Sequence, residues 1–522
     1  MGLFLLPVEL LEVILVHLPV CSALAQVVRG SSWIQYKLDL FAIGAIDGPE
    51  CKLPIAEKSR RLKELQNAWR NPRFTSTYII DCDPYMHAVL GDTVVQWTPT
   101  DDMHFIRIPS NIRLVHDDCW SINGPELGFQ IYVPYGDPSQ DLLAIVELTE
   151  EDEESYLGRI RLLSMLSHKP HPLAAEPILE ADTSADDEAA ASSLCISSDF
   201  ILWQVIQAQF NGRSSRFRIW NWKTGTLLWD LQAHNGRVPI PTSFAFLDDQ
   251  HILFSTIQRG NASLGIYRIS GNRGRISNVD TLTHGYECLL ELPRITDGRR
   301  VCEVWVALQN GLSPVPRTVP TAPFGITPED MLFGIVMGVR GIGLQHMETI
   351  SMYNLFVPVS VLRSCLHRTQ GGSGRRVWPW KEWGPTRTRM LPPTQHLHGV
   401  CGSILGWRAI IEQASTGRDL CYNVYDFNPY TLPRDLELAE EPATHSGGGR
   451  GSHVVNETSH IRTPNDFREV VSTSLPYRVT QVHVSVTSRP GEHIHTEAFL
   501  WEDGIAVVDR TEETCQYRFL TF

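Results

Sequence analysis

The chain has 522 residues, 43% hydrophobic and 20% charged, with a formal net charge of −14. That length exceeds one ordinary core, so one small and one large domain, or three medium ones, are expected, and the composition is that of a folded protein. The negative balance argues against nucleic acid or an anionic membrane as the main partner, and it is local, because residues 137–190 carry 14 Asp and Glu against 3 Lys and Arg.

The first element is Leu6-Pro7-Val8-Glu9-Leu10-Leu11-Glu12-Val13-Ile14-Leu15-Val16-His17-Leu18. Pro7 suits a first helical position, where its missing N–H costs nothing, and Glu9 and Glu12 suit the positive end of a helix. Leu10, Leu11, Ile14, Leu15 and Leu18 line one helical face, and Pro19 stops the run. Periodicity alone fits any amphipathic helix. The order of residues, Leu-Pro-x-Glu-Leu-x-Glu-x-Ile-Leu-x-x-Leu followed by Ala23, Leu24, Val27, Val28 and Arg29, resembles the opening of the F-box, which docks on the Skp-type adaptor of cullin-based ubiquitin ligases. The resemblance implies that Leu6, Pro7, Leu10, Ile14, Leu15, Leu18, Leu24 and Val27 bury against that adaptor as a helix in a groove.

A third helical stretch follows from Ser31, with Trp33, Ile34, Leu38, Phe41 and Ala42 on one face, and Asp47-Gly48-Pro49 ends it. Pro54 opens a further helix, with Ala56, Leu62, Leu65, Ala68 and Trp69 expected inside and Lys58, Arg60, Arg61 and Lys63 outside as a solvated face; Pro72 closes it.

From Thr75 to Phe522 the pattern is short β-rich runs between Gly, Pro, Asn and Asp clusters. Phe217 to His234 resembles the close of a WD repeat, with Trp220-Asn221 in the Trp-Asp position, Thr224-Gly225 as the turn and His234 as the repeat's histidine. With Phe244–Leu247, Ile252–Thr256 and Leu264–Ile269 it reads as one blade. Tyr267 follows Trp220 at about one blade period, and Tyr267 to Phe356 spans about two. Echoes recur at Arg159–Leu163, Val301–Leu308, Tyr353–Val357, Cys421–Phe427 and Ile505–Asp509. The expected fold class is therefore α plus all-β, a small helical F-box domain followed by a degenerate, seven-bladed β-propeller; an open pair of β-sandwiches is the alternative. The expected boundaries are 1–48 for the F-box-like domain, 49–74 for a linker helix and 75–522 for the propeller, which should owe nothing to the helices. Inserted loops are expected at 176–193, 309–330, 367–394 and 429–466, from acidic, Pro-rich or Gly-rich composition.

Gln35-Tyr36-Lys37-Leu38-Asp39-Leu40, Ala56-Glu57…Leu62…Ala68-Trp69, Asp137 to Leu143, Asn221 to Gly225 and Pro379 to Pro385 are together similar to phrases of the mushroom-type fungal F-box proteins, which join an F-box to a propeller-like β-domain. One departure stands out: only Gly30-Ser31-Ser32-Trp33 separate the Gln26-Val27-Val28-Arg29 phrase from Ile34-Gln35-Tyr36, where the family has a longer helix. Trp33 is the expected substitute anchor on the adaptor, whose binding should be weak.

The sequence has no Gly-Lys dipeptide, no Gly-x-Ser-x-Gly and no His-Glu-x-x-His, which excludes a Walker A loop, a nucleophile elbow and a zincin helix. The pairs His168/His171, His396/His398 and His493/His495 read as ordinary loop or strand histidines, so neither a metal nor a cofactor is expected. Eleven cysteines without a Cys-x-x-Cys fit reduced thiols in cytoplasm or nucleus. No signal peptide is read, and no apolar run approaches about 18 residues. The loop Arg375-Arg376-Val377-Trp378-Pro379-Trp380-Lys381-Glu382-Trp383 has two readings: its tryptophans cap the hydrophobic layers, or Arg375, Arg376, Trp378, Trp380 and Trp383 hold a target. The functional expectation is a non-catalytic substrate receptor of an SCF-type cullin ligase, bound to the Skp-type adaptor and ligase core at its N-terminus and to an unknown target protein through the β-domain. The rival is a propeller scaffold with no ligase connection.

Overall fold

A computed structural model of the chain describes residues 26, 28–48, 50–83, 85–98, 102–152, 155–184, 191–209, 212–234, 240–269, 285–307, 321–327, 331–342, 348–372, 376–393, 401–416, 419–432, 452–461, 466–485 and 495–522. The proposed anchors Leu6, Pro7, Leu10, Ile14, Leu15, Leu18, Leu24 and Val27, and also Arg375, lie outside the described residues.

The strands form seven antiparallel blades around a ring. Blade 1 is His87–Leu90, Thr93–Trp97, Met103–Arg107 and Asp118–Ile122. Blade 2 is Val133–Asp137, Leu142–Asp152, Ser155–Ser164 and Ile178–Ser184, and blade 3 is Ala191–Ser197, Phe200–Gln209, Gly212–Asn221 and Thr226–His234. Blade 4 consists of Ile240–Phe246, His251–Gln258, Asn261–Arg268 and Cys288–Glu291, with Arg376–Trp378 added in parallel at its rim. Blade 5 is Arg300–Ala307, Leu332–Ile342, Glu348–Pro358 and Arg389–Met390. Blade 6 is Cys401–Leu405, Arg408–Thr416, Asp419–Asp426 and Tyr477–Ser485, with Ser452–Val455 outside. Blade 7 takes His495–Trp501, Gly504–Arg510 and Cys515–Thr521 from one end of the β-region and Ser76–Cys82 from the other. That last pairing closes the ring and removes the two edges an open sheet would expose.

Continuous apolar strands follow from this stacking, because both faces of a blade are covered by neighbours. In Leu142–Val146, Leu143 and Ile145 pack with blade 1, while Leu142, Ala144 and Val146 pack with blade 3. Likewise Ile201, Trp203 and Val205 face blade 2, and Leu202, Phe217 and Ile219 face blade 4. The core is therefore a set of layers between blades, not one central cluster.

Several expectations are corrected. Phe217 to Ile269 is not one blade: Thr226–His234 closes blade 3 by pairing with Gly212–Asn221, and the next three strands open blade 4. Trp220 and Tyr267 do sit on the third strands of adjacent blades. Tyr267 and Phe356 also lie on adjacent blades, not two apart, because the connections after Arg268 and after Ala307 are long and inflate the period. Val301–Leu308 falls largely on a first strand and Ile505–Asp509 on a second, so only three of the five echoes are third strands. The expected loop 176–193 contributes Ile178–Ser184 to the rim of blade 2 and Ala191–Ser197 to blade 3, its acidity notwithstanding, since backbone pairing with Ser155–Arg161 and Phe200–Ile206 supplies what its side chains lack. The expected loop 367–394 is ordered as the end of one helix, a strand, a short helix and a second strand. In the span 309–330, Phe324–Ile326 is a strand, and in 429–466, Ser452–Val455 and Ser459–Ile461 are strands.

Two helices pack on the ring. Helix α1 is Ser32–Ile43, capped by the Ser31 hydroxyl, which accepts from Ile34 N, and ended by Gly44; helix α2 is Ile55–Arg70. Between them Ala45–Asp47 pairs with Phe324–Ile326, so the helical unit shares a small sheet with a connection in blade 5. Gly48 lies so close to Ala322 that a Cβ there would sit 1.7 Å from its carbonyl oxygen. Tyr36 and Leu40 of α1 and Leu62 of α2 bury against Phe324, and Trp69 enters the layer between blades 6 and 7, 4.8 Å from the Phe522 ring. The expectation that the propeller owes nothing to the helices therefore fails. Lys58, expected in solvent, is buried because its Nζ donates to Asp47 Oδ1 at 2.9 Å. Arg61 likewise reaches the Asn111 and Ile112 carbonyls at 2.9 and 3.1 Å. Among the described residues no helix is long and apolar enough to cross a membrane.

Candidate functional site

The rim of blade 4 carries the aromatic segment singled out by sequence. Helix α3, Val359–Gln370, leaves the last long strand of blade 5 and buries Val361, Leu362, Cys365 and Leu366, which delivers Arg376–Trp378 to the blade 4 edge. Pro379 then starts the four-residue helix α4, Trp380–Trp383. Trp378 is fully buried and donates from Nε1 to Thr369 Oγ1 at 3.1 Å. Trp383 is buried too, its Nε1 donating to the Glu291 carbonyl at 3.0 Å. Both are core residues. Arg376 lies outside, stacked 3.7 Å from the Trp378 ring and paired with Glu382 at 2.6 Å.

Trp380 differs. Its ring stands edge-on to Trp383, 5.1 Å between centroids, and faces a cleft of about 410 Å³. The ring lies where a Cβ on Gly384 would be, 2.3 Å away, so only glycine leaves it room. Across the cleft runs 466–472, a segment of the blade 6 connection that is firmly tied: Asp466 accepts from Tyr353 Oη at 2.6 Å, and Arg468 donates to the Ile295 carbonyl at 3.2 Å and pairs with Asp297 at 2.5 Å. Leu292 and Val471 form its apolar base, with Pro293, Pro379, Pro385 and the exposed Val470 around them. Lys381 and Glu469 bridge the two walls at 2.7 Å, both side chains well exposed. Such a bridge contributes at most about 1 kcal/mol, so it opens at little cost. An apolar trough with one aromatic ring and charges of both signs at its lip suits a short extended peptide.

A second surface belongs to α1. The face turned from the ring exposes Trp33 (43%), Leu38 (39%) and Phe41 (43%), with Lys37 Nζ 5.9 Å from the Trp33 ring and Tyr430 4.8 Å from Phe41. Of the residues expected to form one apolar face, Trp33, Leu38 and Phe41 are exposed and Ile34 and Ala42 are half-buried, while Tyr36 and Leu40 bury against the propeller. The Tyr36 hydroxyl donates to Asp47 Oδ1 at 3.0 Å and to the Pro323 carbonyl at 3.1 Å. Burial and the Asp47 carboxylate push that phenol well above its ordinary value.

No protein-family model matches the chain, and no curated protein matches it. Among solved structures, a 1.18 Å crystal structure of an uncharacterized protein from Listeria monocytogenes is similar at 9% identity, covering 67% of this chain and 95% of that one with a TM-score of 0.26. A likeness at that level carries no argument here.

The aromatic segment singled out in the sequence divides between the core and the cleft. Trp378 and Trp383 were candidates for the target and are core; Trp380 and Lys381 line the cleft. The opposite wall, Arg468 to Ser472, was missed, because it is brought in from a distant part of the chain and carries no motif. Of the histidine pairs, His171 is buried against Trp222, ring centroids 4.9 Å apart, and His495 pairs with Glu497 at 2.8 Å. His396, His398 and His493 lie outside the described residues, and so does their part in those pairs.

Proposed function

We propose that this β-propeller is a protein-recognition module that holds an extended segment of a target in the Trp380 cleft, and that it serves as the substrate-recognition subunit of an SCF-type cullin ubiquitin ligase. The observation that carries the ligase half is α1. Three large apolar side chains on a helix otherwise docked on the ring are surface left for a partner, and they directly follow the stretch that resembles an F-box. The observation that supports the recognition half is the cleft, whose walls are pinned and bridged by one weak ion pair.

Co-expression of the full chain with a Skp-type adaptor tests the reading. Capture of the adaptor by the wild-type chain and its loss in Ile14→Asp is the expected result. A folded wild-type chain that captures no adaptor would leave the rival reading, a propeller scaffold outside the ligase, which the cleft alone supports equally well.

A further inference from the structure

The seam that closes the ring contains two cysteines in register. Cys82, the last residue of Ser76–Cys82, is the direct partner of Cys515, the first residue of Cys515–Thr521. Directly opposed residues of an antiparallel pair have Cα atoms about 4.5 or 5.5 Å apart, and both values lie within the span that a disulfide bridges. Both side chains point to the same face, in the layer between blades 7 and 1 with Ile80, Tyr517 and Phe519. Cys515 is buried, whereas Cys82 is half-buried and accepts from Gln96 Nε2 at 3.2 Å.

A base stands beside them. His87 Nδ1 lies 2.6 Å from the Asp83 carbonyl oxygen, which can only accept, so Nδ1 carries the proton and Nε2 is left as an acceptor. Nε2 lies 3.8 Å from Cys515 Sγ and 3.3 Å from Arg510 Nη2. Burial holds the His87 imidazole below its ordinary value and therefore in the basic form at neutral pH. Arg510 sets a positive charge against Cys515, which opposes the effect of burial on that thiol.

We propose that Cys82 and Cys515 are a peroxide-oxidised pair whose disulfide joins the two ends of the β-region and locks the ring. Hydrogen peroxide reaches Cys82 first. Cys82 loses its proton to solvent and the thiolate attacks one peroxide oxygen; the O–O bond breaks, the displaced hydroxide takes a proton from solvent and leaves as water, and Cys82 becomes a sulfenic acid. Cys515 then gives its proton to His87 Nε2 and attacks the Cys82 sulfur; the S–O bond breaks, the hydroxide takes the proton from His87, and a second water leaves. Two thiols and one peroxide give one disulfide and two waters.

Burial, with Cys515 close by, pushes the Cys82 thiol up to about 12, so little thiolate is present at neutral pH and the oxidation is slow there and speeds up as pH rises. Cys288 and Cys365 are also neighbours, but both are buried and neither offers a peroxide a way in. Cys119, a surface thiol, reports the general dose of oxidant.

The test uses the full-length protein, treated with hydrogen peroxide, alkylated, and digested without reduction for mass spectrometry. The expected result is a linked Cys82–Cys515 peptide that dithiothreitol releases, together with a higher thermal midpoint. Cys82→Ser should abolish both and leave Cys515 alkylated, and His87→Ala should slow the link several-fold without changing the resting fold. Three results would overturn the proposal: Cys82 driven to the sulfinic acid with Cys515 still free, Cys82 linked to a different cysteine, or both thiols still alkylated after prolonged peroxide treatment at about pH 8.5.

Discussion

Asp47 decides how the helices sit on the ring. Its carboxylate accepts from Lys58 Nζ at 2.9 Å, Lys37 Nζ at 3.1 Å and Tyr36 Oη at 3.0 Å, while its own strand pairs with Phe324–Ile326. Burial pushes this carboxyl up, but the bonds from Lys58, Lys37 and Tyr36 outweigh it and hold the group below its ordinary value. A depressed carboxyl stabilises the fold above its unfolded value of about 3.9, and the contribution fades as pH falls through the folded one. Asp47→Asn should therefore cost about 2 kcal/mol at pH 7, chiefly because Lys58 is left buried without a counter-charge. Urea midpoints for both proteins across pH 3–7 check this: the gap should shrink below about pH 4, and a gap constant with pH would mean that the charge is not what matters. In the cleft, Gly384→Ala should push the Trp380 ring off Trp383 with little effect on the buried Trp378. Tryptophan fluorescence should shift, and target capture should fall as far as it does in Trp380→Ala; full retention would place recognition elsewhere.

At the scale of elements, the helices are part of the propeller's stability. Trp69 and Leu62 are almost wholly buried, and each such side chain contributes roughly 1.5–3 kcal/mol. Deleting residues 1–74 should consequently lower the thermal midpoint markedly or leave the β-region insoluble, and an unchanged midpoint would refute the docking described here. The helices were legible in the sequence because of their apolar spacing: Pro54 and the Leu62, Leu65, Trp69 spacing mark α2, and the spacing of Trp33, Ile34, Leu38 and Phe41 marks α1. Which face of α1 is inward was not legible. Tyr36 and Leu40 win that face because Tyr36 can satisfy its hydroxyl on Asp47 and Pro323, a long-range match that periodicity does not contain. The acidic stretch 176–193 misled for the opposite reason. Composition measures what side chains bury, and rim strands such as Ile178–Ser184 are held by a ladder of backbone bonds instead.

For the whole molecule, the spacing and type of the β-runs point to a propeller, while blade boundaries had to come from pairing, since the segment read as one blade straddles blades 3 and 4. The closing seam holds a further device. Arg113, almost fully buried beside blade 1, donates from Nε to Asp503 Oδ2 at 2.7 Å and also pairs with Glu502, so it ties blade 1 to blade 7. Asp92, also buried, has its carboxyl pushed up by that burial. Arg113→Ala leaves Asp503 buried without its cation and should cost about 3–5 kcal/mol, read as a lower urea midpoint; loss of less than about 1 kcal/mol would show that the clamp is dispensable.

The measurement closest to the central claim is the affinity of the full chain for a Skp-type adaptor, by titration calorimetry, in wild type, Trp33→Ala and Trp380→Ala. Trp33 is 43% exposed on α1 and Trp380 lines a cleft built from blades 4 to 6, so the two substitutions address separate surfaces. Removing one apolar anchor of roughly 1.5–3 kcal/mol should weaken adaptor binding by about ten- to a hundredfold. The account predicts that loss for Trp33→Ala and none for Trp380→Ala; tight binding indifferent to Trp33 and reduced by Trp380→Ala would contradict it.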